Sequence, residues 1–158
     1  MSETKSDLFT LQGNVAVVIG AGGGIGGAIA QALADYGADI VAVDRNLASA
    51  QSNADYIAKS GRRAMPLGLD ISNVADIKKM TDTALAEFDR IDILVNSAGM
   101  NIRKAVIDIR EEDWNPVIDV NRRGAVVCCQ AAAKVMIRQN KGKIINIASI
   151  SSILGHPD

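Results

Sequence analysis

Cysteine, histidine and proline are scarce in this sequence, and each scarcity excludes a class of protein. The 158 residues include two cysteines, the neighbours Cys128 and Cys129, and one histidine, His156. Adjacent cysteines cannot build a disulfide framework. Two cysteines and a single histidine are too few ligands for a structural zinc site, so no metal is expected. With three prolines and no low-complexity linker, we expect 1–158 to form a single domain.

An excess of charge of one sign and long hydrophobic runs are also missing. Lys and Arg total 17 and Asp and Glu total 18, for a net charge of -1. Such a balance argues against nucleic acid or an anionic membrane as partner and favours a small-molecule ligand. The N-terminal residues 1–7 are polar, and the apolar stretches are interrupted, for example by Gln130 and Lys134. Neither a signal peptide nor a spanning helix is predicted, and we expect a cytoplasmic protein.

What the sequence does contain is an alternation of short aliphatic runs with longer segments of helical spacing. The runs predict five strands, at 15–19, 40–43, 64–69, 91–95 and 144–147. Nearly continuous aliphatic runs are typical of parallel strands that are buried on both faces. The first helix should end at Gly37, and Ser72 or Asn73 can cap a later one. This order predicts an α/β fold with a parallel sheet covered on both sides.

A longer helix is predicted over 114–138. It should begin near Pro116, whose missing N–H costs nothing in a first turn, and Gly124 should interrupt it. The Ala-rich part, 125–136, is apolar around most of its circumference. We therefore expect the sheet to cover one side of this helix, with a partner subunit as a candidate cover for the other.

The first predicted strand runs directly into a glycine-rich turn, 20–27, and then into a helix. Glycines let the chain turn sharply, bring its amides close to a pyrophosphate and place a helix N-terminus against that charge. Two registers fit a dinucleotide-binding turn. The G-x-G-x-x-G register uses Gly22, Gly24 and Gly27. The G-x-x-x-G-x-G register is preferred because it begins where the strand ends, and it includes Gly20, Gly24, Ile25 and Gly26.

A carboxylate at the end of the second predicted strand bears on which dinucleotide would bind. Asp44 can accept hydrogen bonds from both hydroxyls of an adenosine ribose and would repel a 2′-phosphate. Arg45 follows directly and could attract that phosphate instead, although Gly23 leaves the turn without a second basic residue. The pair predicts NAD as cofactor, with NADP as the alternative.

Further motifs in matching order make the sequence similar to the short-chain dehydrogenase/reductase family over essentially its whole length. The segments that carry the resemblance are the glycine turn, Asp70, Asn-Ser-Ala-Gly at 96–99, Asn121 and Ile-Ile-Asn-Ile-Ala-Ser at 144–149. The resemblance implies a Rossmann-type, doubly wound parallel sheet of strand order 3-2-1-4-5, truncated after the fifth strand. It also implies an NAD(P)-dependent oxidoreductase that interconverts an alcohol and a ketone.

The resemblance also implies a set of cofactor-binding residues beyond the glycine turn. They contact the adenine or line the rest of the cofactor: Asp70, Ile71, Asn96, Ala98 and Gly99. Two departures from the family pattern concern the same region. Ile19 stands where the family usually has Thr, and Ser97 where it often has a second Asn. We expect the hydrogen bonding between the first turn and the segment 96–99 to be altered.

For catalysis, the resemblance implies that Asn121 holds a proton-relay water and that Ser149 orients the substrate carbonyl or hydroxyl. The family has a Tyr acid/base roughly a dozen residues beyond that Ser, with a Lys one helical turn later. The chain ends at Asp158 without this pair, and Tyr36 and Tyr56 lie in earlier helical segments. We therefore expect this chain to carry only half of an active site. The alternative is a catalytically silent fragment that binds nucleotide or a subunit.

The substrate is indicated by fewer residues. Within the family, the segments 8–11, 99–103 and 142–149 are similar to enzymes that act on gluconate, ketogluconates and related polyols. Arg103 or Lys104 could pair with a sugar-acid carboxylate, because each follows the cofactor-lining turn. The resemblance further implies that the complete protein is a homo-oligomer.

Overall fold

Five strands form one parallel sheet within residues 9–150, the part of the chain that the structure, a computed structural model, describes. They are β1 (Val15–Ile19), β2 (Asp39–Asp44), β3 (Ala64–Gly68), β4 (Ile93–Asn96) and β5 (Lys143–Asn146). Their order across the sheet is β3-β2-β1-β4-β5, and every neighbouring pair is parallel. The predicted order is confirmed. β1 has the predicted bounds, and the other strands differ from prediction by one or two residues at their ends.

Five α-helices and two short helical segments connect the strands. The helices are α1 (Gly24–Asp35), α2 (Leu47–Ala58), α3 (Val74–Phe88), α4 (Glu111–Ile118) and α5 (Ala125–Gln139). A 3₁₀ turn (Val106–Asp108) precedes α4, and a π-helical segment (Asp119–Gly124) joins α4 to α5. Within residues 9–150, none of the helices has the length and apolar character needed to cross a bilayer.

The predicted helix ends are borne out where the sequence has a capping residue. Gly37 follows α1 with a φ of 104°, the left-handed conformation that glycine adopts without strain. Asn73, rather than Ser72, caps α3, and its side-chain oxygen accepts a hydrogen bond from the N–H of Ala75 at 3.0 Å. Both signals are local, which is why the sequence alone located them.

Different helices cover the two faces of the sheet. Along β1, Val15, Val17 and Ile19 pack with residues of α3 and α5, whereas Ala16 and Val18 pack with residues of α1 and α2. Successive side chains of a strand point to opposite faces, so β1 contributes to both clusters. The sheet is therefore doubly wound, with one hydrophobic cluster on each side.

The outer strands do not share the burial predicted for all five. β1 and β4 are buried throughout, but β3 is partly exposed and all four residues of β5 are exposed. An edge strand has one neighbouring strand instead of two, and the two hydrophobic clusters lie over the central strands. An aliphatic sequence therefore predicted the strands correctly but not the burial of those at the edges.

The helix predicted over 114–138 is wrong in its start, whereas the interruption predicted at Gly124 is confirmed. α4 begins at Glu111, and Pro116 lies in its second turn rather than its first. Three consecutive acidic residues, 111–113, explain the earlier start, because carboxylates stabilise a helix N-terminus. The helical path then widens in the π-helical segment before α5 begins.

The Ala-rich helix α5 has one covered and one open side. Cys128, Ala132 and Val135 are buried and pack in the cluster that includes α3 and the sheet. Val126 and Ile137 are exposed, by 52% and 73%. The sheet covers one side of α5, as predicted. The open side of the helix carries apolar side chains at the surface of this chain.

Candidate functional site

The glycine turn is packed too tightly for a side chain at three positions. A Cβ at Gly22 would lie 2.7 Å from Cγ of Asp44, a side-chain contact, whereas the other two positions press against backbone. A Cβ at Gly26 would lie 2.2 Å from the carbonyl oxygen of Gly20, and a Cβ at Gly20 would lie 2.8 Å from the backbone nitrogen of Ala98. Gly20 also has a φ of 83°, which disfavours other residues. A Cβ at Gly27, in contrast, would meet nothing closer than 3.4 Å. The packing thus supports the register that begins at Gly20 and ends at Gly26.

Asp44, at the end of β2, holds the turn through its carboxylate. Its Oδ2 accepts a hydrogen bond from the N–H of Gly22 at 3.0 Å, and its Oδ1 accepts one from the N–H of Asn46 at 2.9 Å. The carbonyl of Val43 accepts from Gly20 at 2.8 Å as well. Each carboxylate oxygen has capacity for a further donor. Asp44, the residue predicted to bind the ribose, is therefore also a structural support of the glycine turn.

Asn53 is a further support of the turn that the sequence analysis did not identify. This buried side chain, on α2, donates from Nδ2 to the carbonyl oxygens of Ala21 at 2.7 Å and Gly27 at 3.4 Å. Its Oδ1 accepts a hydrogen bond from Nε2 of Gln31 at 2.7 Å. A lone Asn in an otherwise ordinary helix gives no local signal of such a role, because its partners are distant in sequence.

Asp70 follows β3 at the same edge of the sheet. The N–H of Ser72 donates to its Oδ1 at 2.9 Å. Hydrogen bonds from the backbone and hydroxyl of Ser72 hold the pKa of this carboxyl below its usual range, and the charge of Arg45 acts in the same direction. The N–H of Asp70 itself donates to Oδ2 of Asp76 at 3.0 Å. Asp70 is thus an ionised, oriented acceptor, and Asp76 is a second residue that the sequence analysis missed.

A crevice of about 310 Å³ brings most of the predicted cofactor residues together. It lies at the carboxyl ends of the strands, where open parallel sheets bind their ligands. The predicted residues among its lining are Gly20, Asp44, Arg45, Asp70, Ile71, Ala98 and Gly99. Gly24, Ile25 and Gly26 lie in the first turn of α1 and are not part of this lining; Gly24 and Ile25 are exposed and Gly26 is buried.

Asn96 is buried rather than open to the crevice, and it links β4 to β5. Its Nδ2 donates to Oδ1 of Asn146 at 2.8 Å and lies 3.2 Å from Sγ of Cys129. Its own Oδ1 is buried without a hydrogen-bond partner in the described part of the chain. A main-chain bond from Ser97 to the carbonyl of Ile19, at 3.0 Å, still joins the first turn to the segment after β4.

Asn121 lies in the π-helical segment and makes a two-point contact with the loop after β4. Its Oδ1 accepts from the N–H of Met100 at 2.8 Å, and its Nδ2 donates to the carbonyl of Met100 at 2.8 Å. At the end of the same segment, a Cβ on Gly124 would lie 2.7 Å from the carbonyl oxygen of Ile71. The kinked helix therefore approaches the crevice loops at two places.

The remaining predicted site residues lie at the surface. Ser149 follows β5 and is exposed, as is Arg103 in the loop after β4. Lys104 binds a carboxylate already, because its Nζ lies 2.6 and 2.7 Å from the two oxygens of Asp113. The hydrogen bond from Lys104 holds the pKa of Asp113 below its usual range. Arg103 therefore remains the better candidate of the two for a substrate carboxylate.

Cys128 is a small buried residue, as predicted for both cysteines, whereas Cys129 is only partly buried. Burial raises the pKa of the Cys128 thiol to about 12, so it stays protonated near neutral pH. Residues 9–150 contain no group of three or more His, Cys, Asp or Glu side chains that could hold a metal ion. His156 lies outside the described residues.

Comparison with known proteins identifies the family. A family model described as short chain dehydrogenase matches residues 14–157. The chain belongs to the short-chain dehydrogenase family. Among solved structures, a short-chain type dehydrogenase/reductase from Mycobacterium marinum superposes with a TM-score of 0.93 at 35% identity and covers 96% of this chain. The family assignment agrees with the resemblance drawn from the motifs and with the observed strand order.

Curated relatives in this short-chain dehydrogenase family differ in substrate. The 2-dehydro-3-deoxy-D-gluconate 5-dehydrogenase of Escherichia coli is 41% identical over 148 residues, which are 93% of this chain and 58% of that protein. The 3-oxoacyl-(acyl-carrier-protein) reductase of Synechocystis is 36% identical over 154 residues, which are 95% of this chain and 61% of that protein. The chain thus spans about three fifths of the length of these relatives.

Proposed function

We propose that this chain supplies the dinucleotide-binding part of an NAD-dependent oxidoreductase that interconverts an alcohol and a ketone. The observation that carries the proposal is the crevice in which the glycine turn, Asp44, Asp70 and the segment after β4 meet. Membership of an oxidoreductase family supports it. We also propose that residues 1–158 are one incomplete domain, since a single sheet organises the described part.

The crevice fits a dinucleotide by its shape and by its donors and acceptors. Gly20 and Gly26 pack against the protein's own backbone and keep the turn closed, whereas Gly23 and Gly24 have no atom within 4 Å of a Cβ position. That open space would let the backbone of the turn approach a pyrophosphate closely. The N-terminus of α1 begins in this turn and offers unpaired amides to a phosphate. Asp70 is ionised and can accept from an adenine amino group. Asn96 would act indirectly, by holding β4 and β5 in register beneath Ala98 and Gly99.

NAD is favoured over NADP by the charges at the ribose position. Asp44 is held by two backbone amides and would repel a 2′-phosphate. The charge of Arg45 is opposed by Asp70 across the crevice, where it lowers that carboxyl's pKa. We expect NADH to bind at least about tenfold more tightly than NADPH in a fluorescence titration. Asp44→Asn should narrow that ratio, and an unchanged ratio would count against the assignment.

Asn121 and Ser149 are the proposed catalytic residues of this chain. The bound nicotinamide would supply or accept the hydride. Asn121 would hold a relay water from the kinked helix, in which the π-helical turn changes the backbone hydrogen-bonding pattern. Ser149, at the carboxyl end of β5, would donate to or accept from the substrate oxygen. These roles come from the family resemblance, and the π-helical position of Asn121 is consistent with them.

Ketone-dependent oxidation of NADH separates this proposal from a silent nucleotide-binding or subunit-interaction module. We expect this chain to bind NADH and to turn over at least about 10²-fold more slowly than a version that also carries the Tyr and Lys of the family. Binding without turnover in both versions would favour the silent module. No nucleotide binding in either would refute the proposed function.

For the substrate, we propose a sugar acid or polyol, with Arg103 at its carboxylate. Support comes from the gluconate derivative named for the Escherichia coli relative and from the exposed position of Arg103 after the cofactor loop. In a protein of the relatives' length, Arg103→Ala should raise KM for a sugar acid about tenfold but leave KM for a neutral polyol unchanged. Lys104→Ala is the matched control. Equal effects on both substrates would remove the assignment.

We further propose that the complete protein is a homo-oligomer that works in the cytoplasm. The exposed apolar residues of α5, Val126 and Ile137, support an interface on that helix, because apolar side chains on an open helix face favour association. Sedimentation of Ile137→Lys beside the unaltered chain tests this. A monomer in both cases would contradict it.

A further inference from the structure

One peptide group of the glycine turn is held from both of its ends. The peptide between Ala21 and Gly22 donates its N–H to Asp44 at 3.0 Å, and its carbonyl accepts from Nδ2 of Asn53 at 2.7 Å. The two side chains come from different elements, the end of β2 and the middle of α2. Their combined effect is to fix the plane of that peptide.

Fixing a peptide plane matters most where the chain is otherwise free. Gly22, Gly23 and Gly24 are consecutive, and glycine loses more conformational freedom on ordering than any other residue. A Cβ at Gly23 would meet nothing within 4 Å, so packing alone does not restrain that residue. The orientation of the amides in this stretch therefore depends on the hydrogen bonds to the preceding peptide.

Asn53 is itself positioned for this contact. It is 7% exposed, and Nε2 of Gln31, on α1, donates to its Oδ1 at 2.7 Å. That bond determines which end of the amide faces Gln31 and leaves the Nδ2 end for the turn. The same Nδ2 also lies 3.4 Å from the carbonyl of Gly27, in the first turn of α1. One buried amide thus connects α2, α1 and the glycine turn.

We infer that Asn53 is a positioning residue for the pyrophosphate of the dinucleotide, acting through the Ala21–Gly22 peptide and oriented by Gln31. The inference rests on the proposed function, because it presupposes a phosphate at the glycine turn. Asn53 does not line the crevice itself. It pre-organises backbone donors so that less order must be created on binding, which is how supporting residues strengthen a site.

ADP and adenosine distinguish this role from general support of the fold. Both carry the adenine and ribose, but only ADP reaches the glycine turn with phosphates. Asn53→Ala should weaken ADP binding roughly tenfold while changing adenosine binding less than about twofold, as measured by NMR titration of the chain. Gln31→Leu should show the same preference with a smaller loss. Gln51→Ala, an exposed α2 residue bonded to Asp55, is the matched control and should change neither.

A further readout keeps the test decisive if a variant loses stability. Amide hydrogen exchange at Gly22 and Gly23 should accelerate in Asn53→Ala relative to the amides of β1, below the melting temperature. Equal losses for ADP and adenosine, or no loss for either, would overturn the inference while leaving nucleotide binding intact. If the unaltered chain fails to bind ADP, the proposed function and the inference fall together.

Discussion

The connection from β1 to β2 and the region from the loop after β4 to β5 are held in place by different forces. β1 is buried throughout, and the turn that leaves it is closed by backbone contacts and by two clamping side chains. β5 is exposed along its length, and the loop after β4 carries Val106 and Ile107 with 85% and 93% exposure. Within this second region burial holds α5, whereas side-chain amides fasten β5 and the loop after β4.

The residues proposed for nucleotide binding and those proposed for turnover lie in these two different regions. The residues proposed to hold the nucleotide sit where burial and backbone packing are strongest, around β1 and β2. The residues proposed for catalysis and substrate contact, Asn121, Ser149 and Arg103, sit on the more exposed region. We therefore expect this chain to preserve nucleotide binding more robustly than any activity. Four sets of substitutions measure how firmly different parts of the chain are held.

The largest effect should come from filling the tight turn. Gly26→Ala places a Cβ 2.2 Å from the carbonyl of Gly20, where neither helix nor strand can easily shift. We expect loss of measurable NADH binding and a stability cost of roughly 3 kcal/mol, read from urea unfolding. Gly23→Ala, at an extended residue with open space, should leave the unfolding midpoint nearly unchanged. Equal destabilisation by both would show that the turn is not packed as described.

Truncating isoleucines on a central and an edge strand compares the two regions directly. Ile40 of β2 is fully buried, whereas Ile145 of β5 is 44% exposed. Ile40→Ala should cost about 3 kcal/mol and Ile145→Ala less than about 1 kcal/mol, because only the first leaves a cavity. Denaturant unfolding of both variants measures this. Similar costs would mean that β5 is buried in solution, by self-association for example.

Acid should weaken the fold through Asp92, a residue 2% exposed at the start of β4. Burial alone would raise its pKa, but hydrogen bonds from Arg90 and from the N–H of Val15 outweigh it and lower the pKa. A carboxylate whose pKa is lower in the folded than in the unfolded state stabilises the fold at pH values above its unfolded pKa of about 3.9. That stabilisation is lost as the pH falls through the folded-state pKa. Asp92→Asn should cost about 2 kcal/mol at pH 7 and progressively less below about pH 4. A pH-independent difference would contradict this account.

A smaller effect than at Gly26, Ile40 or Asp92 should come from a helix cap. The side chain of Asn73 accepts from Ala75 at the start of α3, and Asn73→Ala should cost about 1 kcal/mol. Thermal unfolding at neutral pH measures it. Asn73→Asp serves as the control, because a carboxylate caps equally well and should retain stability. A loss in the Asp variant as large as in the Ala variant would exclude capping as the cause.

The sequence predicted well those features that depend on neighbouring residues. A strand that leads into a glycine turn, an acid that closes the second strand and a glycine after α1 are all local signals, and the structure has each at its expected place. Parallel order followed from the alternation of strands and helices together with the family resemblance. Local chemistry therefore accounts for the crevice and most of its lining.

Features that depend on distant contacts could not be predicted. Asn53 supports the site through the carbonyl of Ala21, 32 positions earlier in the chain. Asp76 accepts from the N–H of Asp70, only six positions earlier, but the spacing of the two residues did not indicate the contact. The contact of Asn121 with Met100 joins residues 21 positions apart, and the pattern of apolar residues gave no sign of it. The start of α4 was missed for another reason: Pro116 was given more weight than the acidic residues before it.

The close approach of Gly124 to the carbonyl of Ile71 ties together two parts of the molecule that have separate proposed tasks. Ile71 follows the residue proposed for adenine contact, and Gly124 ends the kink that carries Asn121. A side chain at position 124 would push the helix from the loop and disturb both at once. Saturation mutagenesis should therefore find that this glycine tolerates no substitution, although it is not proposed to touch a ligand. A shift of the loop that carries Ile71 would also move the helical segment that carries Asn121.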